Sequence, residues 1–184
     1  MNGKTKKLTA AGMLAGLAYA ATAAGRVPLI LFLKYDPKDI IVVTAGLVLG
    51  PCTACSVSLL VSLAEMFTVS DNGILGFLAN VISSCAFSCP SAWIYRKMRK
   101  LQGAAVGLFC GWACMVLVMM TWNYLVAPIY MGYPVETVAK LMLPAFLPFN
   151  LIKGGINVAA ALALYKPVVV PLRRICMTEA NPSE

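Results

Sequence analysis

The chain has 184 residues, of which 60% are hydrophobic and 12% are charged, and its mean hydropathy is +0.82. Soluble domains carry about 25% charged residues, so this composition excludes an ordinary soluble domain. Apolar stretches recur along the whole length, which predicts a single membrane domain over residues 1–184. The net charge of +8 comes from short basic clusters between these stretches, so it indicates membrane topology and not nucleic-acid binding.

Six apolar segments follow one another along the chain. They lie at about 8–33, 40–50, 52–68, 74–95, 104–127 and 144–166. The first follows a lysine cluster, as the apolar part of a secretory signal would, but we expect it to be retained because the topology requires it. The second covers only about 17 Å of a hydrocarbon core of about 30 Å. Residues 40–68 therefore form either one long helix or two helices broken at Gly50-Pro51.

Positive charge decides between five and six spans. With six spans and a cytoplasmic N-terminus, ten of the fifteen basic residues share one side of the membrane, as the positive-inside rule requires. These ten are Lys4, Lys6, Lys7, Arg96, Lys97, Arg99, Lys100, Lys166, Arg173 and Arg174. With five spans, the run "RKMRK" and the C-terminal arginine pair would both lie outside. The sequence therefore predicts an all-α integral membrane protein with six transmembrane helices and both termini in the cytoplasm.

The loop before the short second segment, "LILFLKYDPKD", is predicted to dip into the bundle from the outside. A segment of this length cannot cross the bilayer alone, so the preceding chain must supply part of the depth. Non-helical backbone is tolerated at membrane depth only where it is buried in protein or lines a cavity. The loop is thus the first indication of a pocket.

Several polar side chains fall at one depth, in the outer part of the spans. Lys153 lies about 8 Å below the outer end of the last span, and Asn150 and Asn157 share its helix face by their i, i+3, i+7 spacing. Asn80 and Asn123 enter the same outer layer from two other spans. Apolar walls with a few convergent polar groups are typical of a small-molecule site, which we predict here.

Lys153 has several possible roles on this evidence. An ionisable residue inside a membrane is by default a functional candidate, because an unpaired charge in hydrocarbon is costly. The lysine either donates to a ligand, extends outward to the interface, or pairs with Glu65 or Asp36. The asparagines are either ligand donors or interhelical hydrogen-bonding residues. Gly154 and Gly155, which follow the lysine, leave room for a ligand or for a neighbouring helix.

Catalysis and metal binding find little support in this sequence. The sequence has no histidine, so we expect no zinc or haem centre built in the usual way and no metal site. The seven cysteines are an odd number, which argues against a full disulfide framework. Glu65 is the only carboxylate clearly within a span, which leaves few candidates for acid–base chemistry. We therefore expect a protein that is not an enzyme. The alternative from another class, a membrane enzyme acting on lipid-like substrates, would need a carboxylate or histidine cluster.

The first span carries a stripe of small residues. Ala11, Gly12, Ala15 and Gly16 form two overlapping small-xxx-small patterns, which let helices approach closely. Two interpretations remain open, namely packing within the bundle and docking on another subunit.

Four stretches of the sequence resemble one transporter family. They are "FLKYDPKDI", "GFLANVISSCAFSCPSAWIYRK", "WNYLVAPIYMGYP" and "LPAFLPFNLIKGGINVAAALALYKP". Together with six short spans and a dipping first loop, they are similar to the S components of energy-coupling factor (ECF) vitamin transporters, and within these to the riboflavin-binding S component. The resemblance covers residues from about 8 to 172, and the last two stretches are its most specific part.

This resemblance implies a function and a set of partners. It implies a substrate-capture subunit in the bacterial cell membrane that binds riboflavin from outside, with riboflavin as transported ligand and no cofactor. It implies a transmembrane coupling subunit and two cytosolic ATPase subunits as partners, reached through the first helix. An S component for another vitamin shares the fold and is the alternative. The site residues implied by the resemblance are Asn123, Asn150 and Lys153, with Leu33, Tyr35 and Asp36 as loop-one counterparts.

Overall fold

The computed structural model describes residues 3–25, 27–30, 33–68 and 73–177. Most of this chain is helical, with one small antiparallel hairpin after the first helix. The elements are α1 (Gly3–Ala24), β1 (Val27–Ile30), β2 (Leu33–Tyr35), α2 (Lys38–Leu49), α3 (Pro51–Thr68), α4 (Gly73–Lys97), α5 (Leu101–Met131), α6 (Val135–Leu141), α7 (Leu147–Leu164) and α8 (Val170–Met177). Two π-helical turns, Met142–Phe146 and Tyr165–Val169, join α6, α7 and α8.

Four helical stretches among the described residues are long and apolar enough to cross a membrane. They are Pro51–Thr68, Gly73–Lys97, Leu101–Ile129 and Val135–Cys176. The other two bundle helices miss this criterion for simple reasons: α2 has only 12 residues, and α1 contains lysine, threonine, glycine and tyrosine residues that lower its mean hydropathy. The bundle therefore consists of α1, α2, α3, α4, α5 and the α6–α8 stretch.

The break at Gly50-Pro51 is confirmed. α2 ends at Leu49 and α3 begins at Pro51, and the two helices pack against each other. Gly50 has a φ of 107°, which a residue with a side chain rarely adopts, and its N–H donates to the Gly46 carbonyl at 2.8 Å. The glycine thus turns the chain while closing the last turn of α2, so residues 40–68 form two helices.

The expectation of one apolar helix over about 8–33 is wrong in its second half. α1 ends at Ala24, and β1 and β2 then form a hairpin in which Val27 faces Tyr35. Hydropathy alone does not separate a helix from a short buried strand, which explains the error. The paired strands satisfy part of the backbone of the loop, as chain at membrane depth requires.

The last predicted helix also begins earlier than expected. The last apolar segment was expected from about residue 144, but the chain is already helical from Val135 and passes through the π turn before α7. Within α7, Gly154 lies directly against α5. A Cβ at Gly154 would fall 2.0 Å from Cδ1 of Trp112, so this glycine makes room for a neighbouring helix.

α2 is the centre of the bundle. It contacts α1, α3, α4 and α7, and nine of its twelve residues are buried. Its apolar residues contribute to the buried clusters on both sides, with Val42 and Ala45 towards α1 and α3 and Val43 towards α5 and α7. A helix that is apolar all round is expected to be enclosed by its neighbours. Charged side chains at the start of α2 are therefore buried inside the helix bundle.

Candidate functional site

The first residue of α2 is a fully buried lysine. The ammonium group of Lys38 forms an ion pair with the Glu65 carboxylate of α3, and Asp36 Oδ2 lies 3.5 Å from the same nitrogen. Lys38 Nζ also donates to Ser62 Oγ at 3.3 Å. The Lys38 side chain is 1% exposed and that of Glu65 is 0% exposed. One ammonium group thus holds two carboxylates in a dry part of the bundle, where an unpaired charge would be costly.

A second buried ion pair lies one residue further along α2. Lys153 Nζ of α7 is 2.9 Å from Asp39 Oδ2 and donates to Ser83 Oγ of α4 at 3.2 Å. The neighbouring Ser84 hydroxyl donates to Asp39 Oδ1. The pair therefore ties α2, α4 and α7 together, with hydroxyl groups providing further polar contacts.

The ion-pair partners predicted for Lys153 were wrong. The lysine is buried and pairs with Asp39, and not with Glu65 or Asp36. The reason lies in the tertiary structure: Glu65 is occupied by Lys38, and Asp36 accepts from the Thr22 hydroxyl at 2.8 Å. Asp39 had been assigned to the loop, but it lies inside the first turn of α2. The role of Lys153 as a donor to a ligand stays a prediction.

Tyr35 brings the end of the hairpin into contact with α7. Its hydroxyl donates to Asn157 Oδ1 at 2.8 Å. Burial, with Asp39 and Asp36 nearby, raises the pKa of the Tyr35 phenol, so the hydroxyl keeps its proton and remains a donor. The amide nitrogen of Asn157 is buried and has no hydrogen-bond partner within the described chain. Such a group is a candidate for binding a ligand or a water molecule.

The remaining predicted site residues differ in their contacts. Asn80 joins the cluster, since its Nδ2 donates to Glu65 Oε2 at 3.2 Å. Asn150 donates to the Phe146 carbonyl at 2.8 Å, at the π turn, and Asn123 is buried with no side-chain hydrogen bond to another described residue. Leu33 begins β2, and its side chain lies outside the described part of the chain.

Sequence reasoning missed the residues that complete the cluster. Lys38, Asp39, Ser83 and Ser84 were not candidates, although all four are buried. The available signal was the pair of opposite charges that opens an otherwise apolar helix. An acidic residue in a first helical turn is favoured by the helix dipole, and a lysine beside it needs a partner once the helix is enclosed.

The buried polar cluster consists of Tyr35, Asp36, Lys38, Asp39, Glu65, Asn80, Ser83, Ser84, Lys153 and Asn157. Its residues come from the hairpin end and from α2, α3, α4 and α7. It combines ammonium, amide and phenol donors with carboxylate and amide acceptors, so it can hydrogen-bond a ligand rich in carbonyl and hydroxyl groups.

Comparisons with known proteins agree with this architecture. Residues 6–165 match the family described as "ECF transporter, substrate-specific component". The chain is 31% identical to the riboflavin transporter FmnP of Bacillus subtilis (strain 168), over 82% of this chain and 85% of that protein. It is 26% identical to the riboflavin transporter RibU of Staphylococcus aureus (strain TCH60), over 94% and 95% respectively.

A solved structure shares the fold. It is described as the S component of a bacterial ECF transporter, and it superposes with a TM-score of 0.77 at 25% sequence identity. The superposition covers 93% of this chain and 99% of that one.

The fold is that of a multi-pass membrane protein, with a buried polar cluster enclosed by its helices. The chain belongs to the substrate-specific components, or S components, of ECF transporters. It is accordingly a transport subunit of the bacterial plasma membrane, and not an enzyme, and it acts together with an energising module.

Proposed function

We propose that this S component captures riboflavin from the outside of the cell. The observation that carries the proposal is the buried polar cluster, whose donors and acceptors suit a ligand with ring carbonyls and a polyhydroxyl chain. Two relatives that match most of the chain are riboflavin transporters, which supports the choice of a flavin. The proposed route begins at the hairpin end, where Tyr35 and Asp36 are buried.

The proposed binding residues have different hydrogen-bonding capacities left for the ligand. Lys153 is held by Asp39 and Ser83 and has one further N–H direction, which can reach a flavin carbonyl. Asn123 is buried without a described partner, so both ends of its amide are available. Asn150 retains its carbonyl oxygen and one amide hydrogen. Leu33, Tyr35, Asp36 and Asn80 would surround the ligand from the loop and from α4.

Titration of purified protein with riboflavin tests this assignment. We expect saturable quenching of flavin fluorescence at low concentration, since a ring held in a dry pocket next to aromatic and amide groups changes its emission. The protein purified from riboflavin-containing medium should be yellow. Biotin and folate serve as control ligands and should not compete. If flavin gives no saturable signal while the energising subunits co-purify, the family stands and the ligand is a different vitamin.

We further propose a transmembrane coupling subunit and two cytosolic ATPase subunits as partners, with docking through α1. The small-residue stripe divides into two faces. Ala11 and Ala15 are half-buried and pack against the core beside Leu14 and Ala18. A Cβ added at Gly12 or Gly16 would meet nothing within 4 Å. The glycine face therefore points away from the bundle, which supports its use for close approach of another helix.

Bulky residues on the glycine face should separate docking from folding. We expect the Gly12→Leu/Gly16→Leu variant to fold and to bind flavin normally, because both positions face open space. Co-purification with the coupling subunit should fall by about tenfold, since close helix contact is lost. The Val106→Phe variant is the matched control, because Val106 is 48% exposed on α5, on another part of the surface. Unchanged co-purification of the double glycine variant would argue against docking through this face.

A further inference from the structure

A basic cavity lies at the opposite end of the bundle from the polar cluster. α2 begins at the cluster with Lys38 and ends at this cavity with Leu49, so the two sites are separated by the length of that helix. The positive-inside rule assigns this end to the cytoplasm. The cavity has a volume of about 170 Å³. It is lined by Lys7, Gly46, Leu47, Val48, Leu49, Gly50, Ala92, Tyr95, Arg96, Arg99 and Arg173.

The charged lining of the cavity is entirely cationic. Lys7 comes from α1, Arg96 from the end of α4, Arg99 from the following turn and Arg173 from α8. No carboxylate is among the lining residues, and these four make no ion pair with another described residue. Four cations around one small cavity repel each other unless an anion is present, so the arrangement favours an anionic ligand.

Arg173 contacts Tyr95, and Tyr95 in turn contacts Tyr165. Its Nη1 donates to the Tyr95 hydroxyl at 3.1 Å, and the guanidinium lies 5.6 Å from the centre of the Tyr95 ring. The Tyr95 and Tyr165 hydroxyls are 3.2 Å apart, and their rings meet edge to face. This support fixes one wall of the cavity. Three of the four cations are arginines, whose planar groups match the geometry of phosphate oxygens.

The depth of the cavity points to a lipid as the source of the anion. Trp93 is 57% exposed, and Lys97 Nζ lies 4.0 Å from its ring centre. Exposed tryptophan beside lysine is typical of the membrane interface, where lipid headgroups lie. The same stretch of chain exposes Met98 and Leu101, which can contact acyl chains. Basic pockets between helices at the cytoplasmic face are known to suit anionic headgroups.

We infer that this cavity binds the phosphate group of an anionic phospholipid. Arg96, Arg99 and Arg173 hold the phosphate oxygens, and Lys7 adds charge from α1. Because the cavity includes residues of α1, α2, α4 and α8, a bound headgroup links the ends of these four elements. The site is independent of the flavin assignment, since it shares no residue with the buried polar cluster.

Native mass spectrometry of the full chain, released from nanodiscs of phosphatidylcholine with phosphatidylglycerol, tests this inference. We expect the wild-type protein to retain phosphatidylglycerol selectively. The Arg96→Gln/Arg99→Gln variant should bind it about 30-fold more weakly, as expected for two lost interfacial charges. The matched control is Lys97→Gln/Lys100→Gln, which removes the same charge from the same turn without altering the cavity lining and should change retention little.

Additional arms separate the possible outcomes. The Arg96→Lys/Arg99→Lys variant keeps the positive charge and should retain an intermediate amount of phosphatidylglycerol. Circular dichroism checks that each variant is folded. Binding that persists in excess inorganic phosphate supports a lipid headgroup, whereas arginine-dependent binding of inorganic phosphate in phosphatidylcholine discs supports the same anion site with a soluble ligand. Equal losses in both glutamine variants, or no loss in either, would overturn the proposal. So would an arginine variant that loses only the coupling subunit and keeps its lipid.

Discussion

Replacing Lys153 by methionine is expected to weaken riboflavin binding by roughly 10- to 100-fold, the value of a charged hydrogen bond in a buried site. The same change should destabilise the protein, because Asp39 is 1% exposed at its side chain and would lose its ion-pair partner. Breaking a buried pair from one side costs about 3–5 kcal/mol. Fluorescence titration and thermal unfolding in detergent measure the two effects separately.

A second substitution distinguishes ligand binding from structural support. In the Lys153→Met/Asp39→Asn variant no buried charge is left alone, so we expect most of the stability to return. Flavin affinity should stay low, because the ammonium donor is still missing. Asp39→Asn alone is the matched control, since it keeps Lys153 and should keep most of the affinity. Recovery of flavin binding in the double variant would mean that Lys153 only supports the fold.

Replacing Lys38 by methionine is expected to be the most destabilising change at the other ion pair. It would remove the Lys38 ammonium that contacts both the Glu65 and the Asp36 carboxylates in a buried site. We expect a loss of about 3–5 kcal/mol and a fall in the thermal midpoint of roughly 10 °C. Size-exclusion chromatography of heated samples gives the measurement.

Two variants complete the test of the Lys38 ion pair. Lys140→Met removes a lysine from the exposed part of α6 and should leave the midpoint unchanged. Lys38→Met/Glu65→Gln removes one of the two carboxylate charges and should recover part of the loss. If Lys38→Met is as stable as the Lys140 variant, Lys38 does not hold the two carboxylates in the folded protein.

The architecture was largely predictable, because it depends on patterns that are local in sequence. Basic clusters lie at the N-terminus, between α4 and α5 and at the C-terminal end of the last span, which selected six helices. The Gly50-Pro51 break follows from backbone sterics that operate within a single turn. Hydropathy was weaker where it had to separate a helix from a strand. It therefore extended the first apolar segment to about residue 33, past the end of α1 and into the hairpin strands.

The sequence predicted a layer of polar side chains at one depth, but it did not predict which of these side chains form ion pairs. Lys153 and Asn80 were identified because polar residues within apolar helices are conspicuous. Lys38 and Asp39 were overlooked, since residues at the end of a predicted span look like part of a solvated loop. Their burial depends on the enclosure of α2 by α1, α3, α4, α7 and α8, which involves residues far apart in the chain.

The amino-acid pattern alone established that this protein lies in the membrane and has six bundle segments, and it predicted a shared depth for the polar residues. The positions of charges and turn residues along the chain are sufficient for these conclusions. Two features depend on how the helices pack and were not visible in the sequence. Lys153 pairs with Asp39 and Lys38 pairs with Glu65, and four cations line one cavity. Pairing in a dry interior depends on which side chains come within a few ångströms, and helix packing alone sets those distances.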